Sequence, residues 1–430
     1  MGRKAGPGTL YSEDWTSEAD GVSWHREIDR QQWRVLAAAA LGWILDAMDV
    51  MLYSFALTAI RTEFRLTSAA AGALASVPLV TSVIGGLLFG YLSDRCGRAR
   101  ALSWAILAFS IFTALTATAQ SVWQMVLWRG IVGIPLGGEW AAGSVLVAET
   151  WPPRHRAKGV GLMQSGWAIG YMLAAWLAAV ALPRWGWRPL FLMGFLPALF
   201  TWWIRRNIPE PSEWRKAAVE TTGGFGDLLR PPLRGRLALL TLLCCCLLFG
   251  YWGLFTWIPA YLSSPVERGG LGLSVVRSSA WMFPLQVGAF LGYVLFGFIA
   301  DRIGRRRALA GFVLTTALLV PVYGLFGTSA GVLLVAGPLI GFFGHGYFSA
   351  LGVIAAEMFP PTVRNTAQGL SYNVGRALSA LAPATVGALA DRHGIGAALA
   401  LTSVIFAGAA GVSLLIPHPP RNDRTPASNP

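Results

Sequence analysis

Apolar and polar positions alternate along this chain in long blocks rather than in the short periods of a soluble protein. Twelve apolar runs are long enough to span a bilayer: 33–60, 69–91, 101–119, 122–148, 159–182, 187–206, 236–262, 278–300, 308–326, 329–356, 365–389 and 395–416. Short loops rich in Arg, Gly and Pro separate them. The one long polar interruption, 207–235, divides the runs six and six. The pattern predicts an all-α membrane protein of 12 transmembrane helices, built as two six-helix bundles related by a pseudo-twofold axis. Its parts are a cytoplasmic tail (1–32), an N-terminal bundle (33–206), a cytoplasmic linker (207–235), a C-terminal bundle (236–416) and a polar, Pro-rich tail (417–430).

Composition sharpens this picture. Only 13% of residues are charged and 54% are hydrophobic, whereas a soluble domain carries about a quarter charged residues. The formal charge of +13 invites a nucleic-acid reading, but the basic residues sit in short loops with no basic helix, which excludes it. They are also unevenly placed. Of 34 Lys and Arg, 25 fall on the side of both termini and seven on the other, so both termini are expected in the cytoplasm of a bacterial cell, with the chain in the inner membrane. No cleavable leader is visible before the first run. The four cysteines lack metal-ligand spacing and read as small apolar fillers, so no metal and no cofactor is expected.

The two halves repeat. Gly90-Tyr-Leu-Ser-Asp94-Arg95-Cys-Gly97-Arg98 returns 207 residues later as Gly297-Phe-Ile-Ala-Asp301-Arg302-Ile-Gly304-Arg305. Glu149-Thr-Trp-Pro-Pro-Arg-His-Arg156 returns at an offset of 208 as Glu357-Met-Phe-Pro-Pro-Thr-Val-Arg364. Two motifs at nearly one spacing indicate a duplicated six-helix unit, the architecture expected to work by rocking two bundles around a central site.

Candidate chemistry lies where charge interrupts an apolar run. Asp46 and Asp49 share one face of the first helix, with Tyr53 a turn further on. An ionised carboxylate at such depth costs roughly 3 kcal/mol or more and needs a partner, water or a proton, so the pair reads either as a proton-coupling site or as a structural pair hydrogen-bonded to neighbouring helices. Arg129 lies two turns into the fourth run and Arg376 near the middle of the eleventh; each is expected to face a cavity and meet an anion. Arg376, with Tyr372 and Asn373 on its face, is the expected anchor for a substrate carboxylate, against the alternative of a structural Arg bonded to backbone carbonyls. Arg129 and Glu139 are too far apart along one helix to pair. Two readings of Glu139 stand: a proton carrier, or a bond across a close helix contact opened by Gly137 and Gly138. His345 is either a group titrating near neutrality or a hydrogen-bonded packing residue. Gln164, Trp167, Tyr171, Tyr251, Trp252 and Gln286 are candidate cavity contacts.

The repeated Gly-x-x-x-Asp-Arg-x-Gly-Arg loop resembles the signature of the major facilitator superfamily, over about Trp33 to Leu415. The resemblance implies that Asp94 and Asp301, with the neighbouring arginines and the Glu149–Arg156 and Glu357–Arg364 motifs, hold the cytoplasmic gate rather than touch substrate. Within the superfamily, Arg129-Gly-Ile-Val-Gly-Ile-Pro-Leu-Gly-Gly-Glu139-Trp140, Gln164-Ser-Gly-Trp167-Ala-Ile-Gly-Tyr171 and Ser371-Tyr372-Asn373-Val-Gly-Arg376 look like metabolite:proton and sialate/lactate-type carboxylate:proton symporters. That resemblance also implies a role for Arg129 in proton coupling. Asp46-x-x-Asp49 is similar to the Asp-Gly-aromatic-Asp of aromatic-acid symporters, with Ala47 and Met48 in place of Gly and the aromatic. The expected function is therefore not enzymatic. It is proton-coupled symport of a small organic carboxylate of the lactate, pyruvate or sialate kind by a monomer, with an aromatic acid such as nicotinate or benzoate, or drug/proton antiport, as alternatives.

Overall fold

The computed structural model describes residues 24–417, apart from Gly97, 153–154, Pro197, 200–227, Pro232 and Thr328. Residues 207–227 of the expected linker, 1–23 of the expected N-terminal tail and 418–430 therefore lie outside the described residues. The helices are α1 (Arg30–Glu63), α2 (Ser68–Cys96), α3 (Arg98–Thr116), α4 (Val122–Thr150), α5 (Arg156–Trp185) and α6, described over Trp187–Met193. The second set is α7 (Leu233–Phe255, continuing as Ile258–Ser263), α8 (Val275–Ile303), α9 (Arg305–Phe326), α10 (Ala330–Gly346 and Phe348–Met358), α11 (Pro361–Ser379 and Leu381–His393) and α12 (Ile395–Leu414). Among the described residues eight helices are long and apolar enough to cross a membrane, and Arg100–Thr116 adds a shorter apolar stretch.

Local chemistry sets the helix ends. Asp29 starts α1 with a capping box: its carboxylate accepts from the Gln32 N–H at 2.7 Å, and Gln32 Oε1 accepts from the Asp29 N–H at 2.9 Å. Ser121 and Ser274 cap α4 and α8 through their hydroxyls alone, which accept from the N–H groups of Gln124 and Arg277. Two runs read as continuous are broken by proline. Pro259 has no N–H for the Phe255 carbonyl, and α7 pauses there; Pro383 does the same to Ser379 in α11.

Large apolar side chains such as Trp123, Leu199 and Val404 face outward, while charged side chains are drawn inside, the inversion that a lipid surround requires. Small residues bring helices together. Gly85 of α2 lies against the Ile134 carbonyl of α4, and Gly292 of α8 against the Phe342 carbonyl of α10. Gly133 of α4 lies against Pro78 of α2, and Gly341 of α10 against Leu285 of α8. These contacts repeat at the offsets of 207 and 208 residues that relate the sequence motifs, so the duplication extends to atomic packing.

Across the bundles, α5 meets α8 and α2 meets α11. Hydrogen bonds join the bundles at the centre and at the end remote from Trp24 and Pro417, here termed the distal end. There the Asp391 carboxylate accepts from the N–H groups of Ser68 and Ala69 at 3.1 and 3.0 Å, and the Thr58 and Ser263 hydroxyls lie 3.3 Å apart. The Tyr171 hydroxyl donates to the Phe255 carbonyl at 2.9 Å, taking the acceptor that Pro259 left free.

Candidate functional site

The centre of the molecule holds four charged side chains in two pairs. Asp46, Asp49, Arg129 and Arg376 are all at most 5% exposed. Asp46 on α1 is in electrostatic reach of Arg376 on α11, across the bundle interface. Asp49 is in reach of Arg129 on α4, within the first bundle, with the Thr113 hydroxyl of α3 beside it. Neither pair closes. All four carboxylate oxygens lack a hydrogen bond, as do Nε and Nη1 of Arg129 and Nε of Arg376. Charged groups this deep in a membrane-spanning bundle, in reach of one another but not bonded, mark the candidate functional site.

Local packing explains how each charge is held. The Arg129 guanidinium lies 5.2 Å from the centre of the Tyr53 ring, and the Tyr53 hydroxyl is anchored on the Ala71 carbonyl at 2.8 Å. The side chains of Val50, Tyr53, Ser54, Arg129, Trp252 and Thr256 meet at a cavity of about 10 Å³, room for a single water. Arg376 sits in the last turn before the Ser379–Leu381 break in α11. Its neighbour Asn373 donates to the Gly369 carbonyl at 2.9 Å and rests its amide oxygen against Gly86 of α2, so this face of α11 looks toward the first bundle. Tyr372 is half-buried and in electrostatic reach of Arg376.

Aromatic rings line the adjoining interface. Trp167 of α5 packs on Trp43 of α1 at 4.8 Å between ring centres and meets Trp252 of α7 at 6.1 Å. Its indole N–H donates to the Tyr251 hydroxyl at 2.5 Å. Tyr251 lies 3.3 Å from His345 Nε2, and His345 Nδ1 lies 3.1 Å from the Gly341 carbonyl. Gln286 on α8 is fully buried with both ends of its amide unpartnered. Gln164 is half-buried on α5.

The structure thus brings together Asp46, Asp49, Arg129 and Arg376, and gathers Trp167, Tyr171, Tyr251, Trp252 and His345 beside them. The side chain of Glu139 lies outside the described residues, as do those of Gly90, Asp94, Arg95, Gly97, Arg98, Glu149, Arg156, Asp301 and Arg364. Of the remaining motif positions, Arg305 at the start of α9 forms an ion pair with Glu357 at the end of α10, so the two repeated motifs of the second half meet. Gly304 takes a φ of 90° between α8 and α9, a turn that suits glycine, while Gly297 has open space around it and Arg302 is exposed. Trp43 and Thr113 were not among the candidates from sequence. Trp43 stands one turn before Asp46 on the same face of α1, which is the signal that could have found it.

Comparison with known proteins agrees with this architecture. The family model of the Major Facilitator Superfamily matches residues 39–292 and 265–430. A putative metabolite transport protein of Haemophilus influenzae is 36% identical over 390 residues, covering 88% of this chain and 94% of that protein. A cis,cis-muconate transport protein of Acinetobacter baylyi is 34% identical over 382 residues, covering 86% and 90%. The crystal structure of a D-xylose–proton symporter, at 19% identity, shares the fold with a TM-score of 0.73 over 90% of this chain and 98% of that one. With the repeated loop motifs, the twelve helices and the paired bundles in place, the chain belongs to the Major Facilitator Superfamily and is a multi-pass membrane transporter, not an enzyme.

Proposed function

We propose that this transporter carries a small organic carboxylate across the bacterial inner membrane together with protons, its termini in the cytoplasm and its distal end facing outward. One observation carries the reading: Asp46 and Arg376 are buried, face each other across the bundle interface, and are not bonded. A substrate carboxylate that reaches Arg376 takes the charge partner of Asp46 away. An ionised Asp46 left alone in the core costs several kcal/mol, on the order of 3–5, which a proton removes. Substrate and proton therefore enter together. The loaded site holds one guanidinium, one carboxylate and one neutral acid, so it stays balanced at net zero, as the empty site is, when the bundles rock; without the proton it would carry an uncompensated negative charge. Asp49 and Arg129 share one bundle and need not separate in that motion. Gln286 supplies a further polar contact to the substrate, and Tyr372 a hydroxyl. The muconate-transporting relative, 34% identical, supports an organic acid as cargo.

A second reading, uptake of an aromatic acid, is favoured by the Trp43–Trp167–Trp252 cluster beside the charges, whose faces and edges suit a planar ring. Drug/proton antiport fits less well, because a lipophilic cation would have to approach the buried guanidinium of Arg376.

The test is uptake into proteoliposomes loaded with one acid, with and without a proton gradient. Asp46→Asn is expected to abolish uphill uptake while sparing exchange, and Arg376→Ala to abolish both. Uphill uptake that survives Asp46→Asn refutes the coupling scheme. A panel of short aliphatic and aromatic acids in the same assay separates the two substrate readings.

A further inference from the structure

The hydrogen bonds at the centre form a chain with one direction. Trp167 Nε1 can only donate, so at 2.5 Å it occupies a lone pair of the Tyr251 oxygen. The Gly341 carbonyl can only accept, so at 3.1 Å it fixes the imidazole proton on Nδ1. His345 is fully buried and has no carboxylate among its hydrogen-bond partners, so it carries that one proton and its Nε2 accepts. The Tyr251 hydroxyl proton is thereby committed to Nε2, 3.3 Å away. The Phe255, Tyr251 and Tyr293 rings stand around the imidazole at 4.2, 5.2 and 5.8 Å between centres and hold it in place.

Trp167 belongs to the first bundle and Tyr251 to the second, so a molecule that enters between the bundles parts this bond. It then meets two fixed demands: an N–H that requires an acceptor and an oxygen lone pair that requires a donor. An ionised carboxylate offers acceptors only, and answers the first while opposing the second. A hydroxyl answers both. We propose that the Trp167–Tyr251 pair is a hydroxyl-selecting subsite, so that the preferred substrate bears a hydroxyl beside the carboxylate held at Arg376. His345 is the positioning residue that keeps Tyr251 an acceptor. The proposal rests on the carboxylate reading above and narrows its substrate class.

The experiment compares matched acids, lactate with propionate and 4-hydroxybenzoate with benzoate, as competitors of binding to the purified full-length protein. A buried polar group left unmatched by the deoxy acid is expected to weaken it about 10-fold or more in at least one pair. Tyr251→Phe, which removes the acceptor and leaves only the Trp167 N–H to be matched, and His345→Phe, which frees the hydroxyl to donate, should each lower that ratio. His345→Gln, whose amide oxygen still accepts from Tyr251, should restore most of it, a result that a purely structural histidine does not give. Equal binding of both members of every pair to the wild type overturns the subsite and leaves the carboxylate reading standing. So does a ratio that persists in His345→Phe and Tyr251→Phe. Failure of all four acids to bind, with lipophilic cations binding instead, overturns the carboxylate reading and this proposal with it.

Discussion

Replacing Asp391 should open the distal end of the protein. The first turn of α2 begins with N–H groups that have no partner in their own helix. Ser68 and Ala69 give theirs to Asp391, and Ala70 gives its to Thr67 Oγ1 at 3.1 Å. Asp391 therefore acts as an N-cap supplied by the opposite bundle, and α2 is fully capped only while the two halves are together. Arg61, whose guanidinium holds Ser68 Oγ at 2.8 Å, adds a favourable charge nearby. Loss of a cap costs about 1 kcal/mol, and the solvent exposure of Asp391 argues against more. About 1 kcal/mol shifts the closed-to-open ratio roughly five-fold. The assay is the rate at which an impermeant maleimide labels Thr58→Cys in a background without the native cysteines, since Thr58 faces Ser263 across the closed end. Asp391→Ala should raise that rate about five-fold. Acid should act in the same direction. Partial burial pushes the Asp391 carboxyl up, but the bonds from Ser68 and Ala69 and the charge of Arg61 together hold it below its ordinary 3.8. A lowered value in the closed state means that closure is favoured in full above pH 3.8 and loses this support as pH falls through the lowered value. An unchanged labelling rate in Asp391→Ala would refute the interlock.

Two further outcomes follow from packing. Gly85→Ala places a methyl on the Ile134 carbonyl, and the cost of overpacking, about 1–3 kcal/mol, should appear as a lower melting temperature in detergent; a neutral effect would contradict the α2–α4 contact. Tyr171→Phe leaves the Phe255 carbonyl unmatched at the bundle interface, so closure should weaken by about 1 kcal/mol, read as faster labelling in the Thr58→Cys assay, and an unchanged rate would show that the carbonyl finds another donor.

Much of this architecture was legible in the amino-acid order because lipid imposes long apolar runs and the repeat preserves spacing. The same physics exposed the four charges, since a carboxylate or guanidinium inside an apolar run stands out. Their pairing was not legible. Asp46 comes within reach of Arg376 across the bundle interface while Asp49 comes within reach of Arg129, a fact of packing between distant segments. The readings of His345 as titrating group or packing residue could not be separated along the chain either, since they turn on Tyr251 and Trp167, which approach from two other helices. Trp43 was hidden among 19 tryptophans, most of which read from sequence as interfacial belt or packing. The breaks in α7 and α11 were written in Pro259 and Pro383, yet the apolar runs continue through both. The tie between Arg305 and Glu357 joins two motifs that look independent in sequence.

The glycine contacts repeated in the two halves also bear on how this protein came to be. Any side chain at Gly85, Gly133, Gly292 or Gly341 would strike the backbone or a buried side chain of a neighbouring helix, so these positions tolerate almost no drift. The charges are under no such rule: at the 207-residue offset, Asp46 corresponds to Gly253 and Asp49 to Thr256. After one ancestral half was copied, its scaffold stayed twofold while its chemistry diverged. The descendant is an asymmetric machine on a symmetric frame, and new cargo specificities can arise by changing the charges and rings while the glycine seams stay untouched.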